Sequence, residues 1–474
     1  MLGLAALGPA LGPGLGCGAA SVPPGAPDIV ILTLESLRTD HVGVYGGRSP
    51  GRPEVPITPE IDAFATRATV YEDAHSVTSW TLASHASLFT GLYPAGHRTD
   101  GPRDRLADSL PTLAEVLAQR GYQTAGVVSG PYLRRTHNLS QGFEHWDDSS
   151  ASITNKLAHD DVTNPRMQEG LQRFLEQERD PERPFLLFGY FWDPHHDFLP
   201  PPPYDRMFVG EGASPIDLRG FDTNAAIHPG MPPEQLAYVL SQYAGEIRWT
   251  DLHVGRLFRL LQELSLWDNS VIVVTSDHGE EFFDHGEKGH KNNLYAETTR
   301  VPLIVKYPGQ VEGRREARPV SLVDLLPTLL ALTGGSADFP VHGRSLLAEP
   351  DPDRALLYEL RALRYYREPD GAVEARGDRW YAVRGGDWKL VWRGAEGEVP
   401  GSGKGSQLFQ VAADPDERAD LAAREPQQAA ALRQRLVSEL EHARRDAERY
   451  PRGGPAELSA EEIEQLRELG YLGP

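Results

Sequence analysis

The feature that most constrains this fold is a recurring pattern of short, nearly continuous apolar runs, rich in β-branched residues, that stop abruptly at polar ones. They are DIVILTLES ending at Ser36, TAGVVSG at Gly130, PFLLFGYFWDPH at His195, SVIVVTSDH at His278 and VPLIVKYPG at Gly309. Segments of helical character lie between them, at residues 111–120, 167–178, 233–264 and 322–332. A strand without polar alternation is buried on both faces, and strands that alternate with helices form mainly parallel sheets. The pattern therefore predicts an α/β fold, a large mainly parallel sheet sandwiched by helices. A chain of 474 residues, 40% of them hydrophobic, can fill such a core and carry an appendage. Ligands of open α/β sheets sit beyond the carboxyl ends of the strands. Glu35, His195, Asp277 and His278 fall at those ends, so the topology predicts one shared rim for them.

After about residue 350 the pattern changes to short strands, RWYAVRGGDWKLVWR and SQLFQV, then a charged helix from residue 426 to about 450. The last segment, LSAEEIEQLRELGYLGP, has a capping box in Ser459 and Glu462. This divides the chain into a leader (1–26), an α/β domain (27–350) and a small C-terminal part of short strands with a helix and helical tail (351–474). Pro- and Gly-rich loops are expected at 49–59, 199–203 and 394–405. Loops at 209–232 and 361–379 are expected to set substrate specificity. The small apolar start resembles a bacterial lipoprotein signal with Cys17 as the lipidated residue. It implies an exported, periplasmic or membrane-anchored protein, with a cytoplasmic location as the alternative. No other run approaches the roughly 20 apolar residues of a membrane span. Cys17 is the only cysteine, so there is no disulfide framework and no thiolate metal site. A formal charge of -21 opposes nucleic-acid or anionic-membrane partners. An anionic substrate then needs a local positive centre such as a metal.

Residues 79–94, SWTLASHASLFTGLYP, resemble the signature of the sulfatase family: Cys or Ser, any residue, Pro, Ser, Arg, Ala, Ser, Leu, Leu, Thr, Gly. The first residue of that signature is oxidised to a formylglycine nucleophile. Thr81 stands there, and threonine cannot be converted, so no formylglycine is expected. An unmodified hydroxyl would act instead, as in phosphoryl-transferring relatives of the alkaline phosphatase superfamily. His85 replaces the signature arginine and Ala83 its proline. TSDHGEEFFDHG and LTLESLRTDHVGVYG resemble the family's metal-binding segments, and residues 351–474 resemble its small C-terminal subdomain, which implies a catalytic domain at 27–350 followed by a small antiparallel sheet with a helix. The resemblance implies one divalent ion on Glu35, Ser36, Thr81, Asp277 and His278. Carboxylate ligands suit Ca, Mg or Mn, whereas a histidine ligand and threonine nucleophile tilt towards Zn or Mn.

Thr81 opens a segment that reads as a helix to Thr90, with Gly91 as its stop, which puts its hydroxyl where helix N-termini favour anions. The alternative is that Ser79 or Thr81 merely caps the helix. For the leaving group and non-bridging oxygens the resemblance implies His290 and His195, then His97 and His85, with His196, Lys288 and Lys291 as competitors. Asp193, Asp251, Glu280 and Glu281 read as supporting or solvated acids, and Arg38 and Asp40 either touch substrate or brace their loop. The expected activity is metal-dependent hydrolysis of small-molecule or glycan sulfate or phosphate esters through a covalent Thr81 adduct. The alternatives are a phosphoethanolamine- or phosphoglycerol-type transferase, which Glu35, Ser36 and Thr81 also resemble, and a noncatalytic metal-stabilised binding protein.

Overall fold

A computed structural model of the chain describes residue 23 and residues 25–151, 163–367, 373–398, 400 and 405–472. Cys17 and most of the expected leader lie outside the described residues. The main sheet has eight strands: β1 (Asp28–Leu34), β2 (Thr69–His75), β3 (Gln123–Ser129), β4 (His145–Ser150), β5 (Phe185–Phe191), β6 (Ser270–Ser276), β9 (Leu303–Lys306) and β10 (Arg314–Ser321). A two-residue hairpin, β7 (Glu281–Phe282) and β8 (Lys288–Gly289), intervenes after β6. The order across the sheet is β10-β2-β9-β6-β1-β5-β3-β4. All neighbours are parallel except β9, which runs antiparallel to both β2 and β6.

Successive residues of β1 serve opposite faces, as strand geometry requires. Ile29 and Ile31 join one apolar cluster with helices Thr81–Thr90, Leu113–Gln119 and Leu325–Leu332. Val30, Leu32 and Leu34 join the other, against the helix Pro233–Glu263. Both faces are therefore covered, which is why the run carries no polar alternation. Register then positions the rim: Leu34 pairs with Phe191 of β5 and Ser276 of β6, so Glu35 and Asp277 emerge side by side.

Strands β11 (Ala355–Arg367), β12 (Val373–Gly385), β13 (Trp388–Ala395) and β14 (Ser406–Gln410) form an antiparallel sheet. One of its faces, with Leu356, Tyr358 and Leu360, joins the first cluster of the main sheet. The other packs Val383, Leu390 and Leu408 against Leu432, Leu436 and Leu440 of the helix Pro426–Ala447. The segment 361–379 expected as a loop is mostly strand: Arg361 pairs with Arg379 in the β11–β12 ladder. The chain ends on the helix Ala460–Glu468, whose Leu466 is buried in the main core.

Candidate active site

Thr81 is the first residue of a buried ten-residue helix that follows Trp80 in extended conformation. Neither of the expected caps operates. The helix has no side-chain cap, and the Ser79 hydroxyl donates to the Asn293 carbonyl instead. The Thr81 hydroxyl donates to Glu35 Oε2 at 3.3 Å and lies 3.2 Å from His278 Nε2. His278 Nε2 is in turn 3.3 Å from Glu35 Oε1 and 3.4 Å from Asp277 Oδ2. His278 Nδ1 sits 2.9 Å from the Gly279 carbonyl, where only a proton on Nδ1 makes a bond. That points Nε2, the ring atom left for a cation, at carboxylate oxygens.

Acceptors facing acceptors at these distances are the pattern of ligands around a cation. Donor atoms about 2.1 Å from a tetrahedral ion lie about 3.4 Å apart. Asp277 adds a second sign. Its Oδ1 accepts from the amides of Ser36 and His278, while its buried Oδ2 has no hydrogen bond. Burial, with Glu35 alongside, raises the Asp277 carboxyl well above the usual range. The residues present therefore fit a divalent cation on Glu35, Asp277 and His278. Ser36 is corrected from ligand to support: its hydroxyl donates to Glu35 Oε1 at 2.7 Å, while Tyr190 donates to Glu35 Oε2. Two donors thus fix the carboxylate's orientation.

The β7–β8 hairpin delivers His290, whose ring packs 4.5 Å from that of His278. Its Nδ1 is 3.3 Å from Glu280 Oε1. Glu35, His278 and His290 also bring donor atoms within 4.8 Å of one another. His195 follows β5; its Nδ1 donates to the His196 carbonyl at 2.5 Å and its Nε2 lies 2.8 Å from the Tyr471 hydroxyl. His196 stands 3.6 Å from Glu280 Oε2 and 3.5 Å from Asp222 Oδ2. Glu280, read from sequence as a supporting or solvated acid, is fully buried between two histidines. Burial holds His290 well below its ordinary value, helped by His278, His196 and Lys291, so its ring is neutral. Against the cost of burial, Asp222 and Glu280 push His196 up to about 9. Burial brings Lys291 down to about 8, so its ammonium is mostly retained at neutral pH. His196, its ring 5.2 Å from that of His290, and Lys291 thus bring positive charge to this cluster in a chain of strongly negative overall charge.

Two expected histidines take other roles. His85, one helical turn beyond Thr81, is 2.9 Å from the Thr81 carbonyl and 3.0 Å from the Thr33 hydroxyl, inside the protein. Burial lowers it to about 4, so it braces Thr81 as a neutral ring, with Nδ1 also 3.9 Å from Asp277 Oδ2. His97 is bound to the Ser87 hydroxyl and the Thr99 amide, with no bond to Thr81 or its partners. The bland acids behave as expected: Asp193 accepts from the amides of Thr163 and Asn164, and Asp251 from those of Glu60 and Ile61, each at a helix start. Arg38 braces its loop by pairing with Asp40 and Asp284. Sequence reasoning missed Tyr190, which is hidden inside an apolar run, and Tyr471, whose only signal is the Gly470 before it.

The sulfatase family matches residues 27–336, and the C-terminal family of N-sulphoglucosamine sulphohydrolase matches residues 284–446. An ulvan-active sulfatase of Formosa agariphila is 28% identical over 70% of this chain and 66% of its own length. An arylsulfatase of Clostridium perfringens is 26% identical over 88% of this chain and 94% of its own. Among solved structures, a protein in complex with its substrate D-glucosamine-2-N,6-O-disulfate superposes with a TM-score of 0.67, 20% identity, over 92% of this chain and 100% of that one. The phosphonate monoester hydrolase of Agrobacterium radiobacter superposes with a TM-score of 0.66, 22% identity, over 89% and 96%. At these identities the structures speak to the fold.

Proposed function

Because the chain belongs to the sulfatase family of ester hydrolases, we propose that it hydrolyses phosphate or phosphonate esters through Thr81, with sulfate esters as the second class its site admits. The observation that carries this reading is the Thr81 hydroxyl at the meeting point of Glu35 and His278. Phosphorus is favoured by the chemistry of a bare hydroxyl. A formylglycine hydrate releases its adduct by elimination through a second hydroxyl, which threonine lacks, so water must attack the central atom. The sulfatase relatives support the sulfate class, and the phosphorus class rests on the chemistry of the bare hydroxyl.

A divalent cation on Glu35, Asp277 and His278 would stabilise the attacking oxygen and offset charge on a non-bridging oxygen. The rest falls to the chain. The Thr81 hydroxyl gives its proton to Glu35 Oε2 as Oγ1 bonds to phosphorus and the bond to the leaving oxygen breaks. His195, in its protonated form, gives that oxygen a proton from Nε2. Lys291 and His196 offset the negative charge that gathers on the transferring group. Water then attacks the adduct, returning a proton to His195, while the Thr81 oxygen recovers its own from Glu35. Lipidation at Cys17 belongs to the same proposal and rests on residues 1–21 alone.

The test compares aryl phosphate, phosphonate and sulfate esters across Ca, Mn and Zn, with Thr81→Ala as control. The variant is expected to lose at least about three orders of magnitude in kcat/KM while keeping its unfolding temperature. Turnover that survives the substitution, or none on any ester, overturns the assignment.

A further inference from the structure

The C-terminal helix Ala460–Glu468 ends at Gly470, whose φ of 73° is open to glycine at little cost. The Tyr471 amide then donates back to the Leu466 carbonyl at 2.8 Å, a helix-ending turn that sends the next side chain inward. That side chain enters the catalytic cavity. Its hydroxyl lies 2.8 Å from His195 Nε2 and 3.5 Å from His290 Nε2, one ring away from the His278 that touches Thr81. Its ring has Lys291 Nζ 3.6 Å from its centroid and Tyr132 at 4.8 Å in an edge contact.

We propose that Tyr471 is a tethered occupant of the leaving-group subsite, a pocket for an aromatic alcohol, and that an ester enters only when residues 460–472 withdraw. The phenol stands as a product alcohol would, with its O–H directed at the nitrogen that has just given up a proton. With the tail in place Thr81, His195 and His290 are only 2%, 3% and 1% exposed, which leaves a substrate no approach to them in this state. The tail joins the body through an irregular, largely exposed stretch, 451–459, pinned where the Ala456 amide donates to the Arg103 carbonyl at 2.7 Å; beyond that pin, 460–472 is held by Leu466, Leu469 and Leu472 and by Glu462 at 3.4 Å from Arg134. The words leaving group rest on Thr81 being the nucleophile; the pocket for a phenol does not.

The experiment measures phenol binding to the full chain by calorimetry, for the native protein and for Tyr471→Ala, each also carrying Thr81→Ala so that catalysis plays no part. Phenol is expected to bind the Tyr471→Ala protein at least about tenfold more tightly, filling the vacated aromatic space, and to raise its unfolding temperature. Equal binding to both overturns the subsite. In the Thr81 protein, Tyr471→Ala is expected to lower KM for an aryl ester at least about fivefold, with phenol a competitive inhibitor. If Tyr471→Phe instead lowers kcat at constant KM, the hydroxyl is a catalytic donor and the occupant assignment falls. Hydrogen exchange of the native chain gives a measure free of substitutions. Amides of 460–472 are expected to exchange at least about tenfold faster than those of the helix Thr81–Thr90, and equal protection overturns withdrawal.

Discussion

At Asp277 a buried carboxylate oxygen has no hydrogen bond and a second carboxylate, Glu35, adds to its cost. A group in that position works against the empty protein and for the loaded one, because an uncompensated buried charge is expensive and a cation removes the expense. Asp277→Asn is therefore expected to act with opposite signs on the two states. Without divalent ions it should stabilise the chain by about 1–3 kcal/mol, the usual cost of an unsatisfied buried polar group. With excess ion, the rise in unfolding temperature that the native chain gains by mass action should be lost. Calorimetric scans of both proteins with chelator and with Mn or Zn check this, and a destabilised ion-free variant would refute it. The shared rim of Glu35, Asp277 and His278 was legible in the sequence because each sits at a strand end that local pattern predicts, whereas Thr81 was singled out by resemblance to the sulfatase signature. Glu280 and Tyr190 were not legible, because their importance lies in what lies opposite them in space. The surroundings of His85 were hidden for the same reason: one helical turn sets it between the Thr33 hydroxyl and, at 3.9 Å, Asp277 Oδ2.

The elements divide by how much of their logic is local. The helix Pro233–Glu263 and strands β1, β3, β5 and β6 were readable from apolar continuity, because burial on two faces leaves its mark on every residue. Strands β4 (HWDDSS) and β10 (RREARPVS) close the sheet at its two edges, where polar side chains are tolerated and protective, and so carry no such mark. The β11–β12 pairing was hidden by the charges along 361–379, since partner choice is set by the neighbouring strand. One contact ties this second sheet to the catalytic rim. Lys389 of β13 pairs with Glu417 at 2.9 Å, with both side chains nearly fully buried. Glu417 Oε2 also accepts the Ala296 amide just past the hairpin that carries His290. Burial raises the Glu417 carboxyl, offset in part by Lys389, so the pair is held by its partner and not by solvent. Lys389→Met is expected to cost about 3–5 kcal/mol by stranding the carboxylate, and adding Glu417→Gln should restore at least about half of it. Urea unfolding of the single and double variants measures both; a single variant as stable as the parent would show that the pair ties nothing.

For the molecule as a whole, a formal charge of -21 and a set of neutral buried histidines pull stability in opposite directions as pH falls. Partial neutralisation of surface acids eases self-repulsion, but those groups are spread over the exterior and screened by salt. The histidines are not screened. Burial lowers His97 to about 3, with Asp100 the main opposing influence, and His137 to about 4, with its Asp104 carbonyl contact opposing. Burial also lowers His253 to about 4. Each folded-state value lies below the unfolded value of about 6.5. The unfolded chain therefore binds the proton first, so stability is full above about pH 6.5 and is lost as the pH falls towards 4. At pH 5, His97 and His137 each account for about 2 kcal/mol, a large part of a typical total of about 5–15 kcal/mol. The histidine contribution should therefore outweigh the relief of surface charge. The unfolding temperature is expected to fall by roughly 5–10 °C between pH 7 and pH 5. His137→Gln should remove at most about a quarter of that slope, since His85, His97 and His253 titrate alongside it, and an uncharged amide can still donate to the Asp104 carbonyl that His137 Nδ1 meets at 2.9 Å. A native profile that stays flat across this range, or a variant profile as steep as the native one, would place the acid sensitivity outside these buried rings.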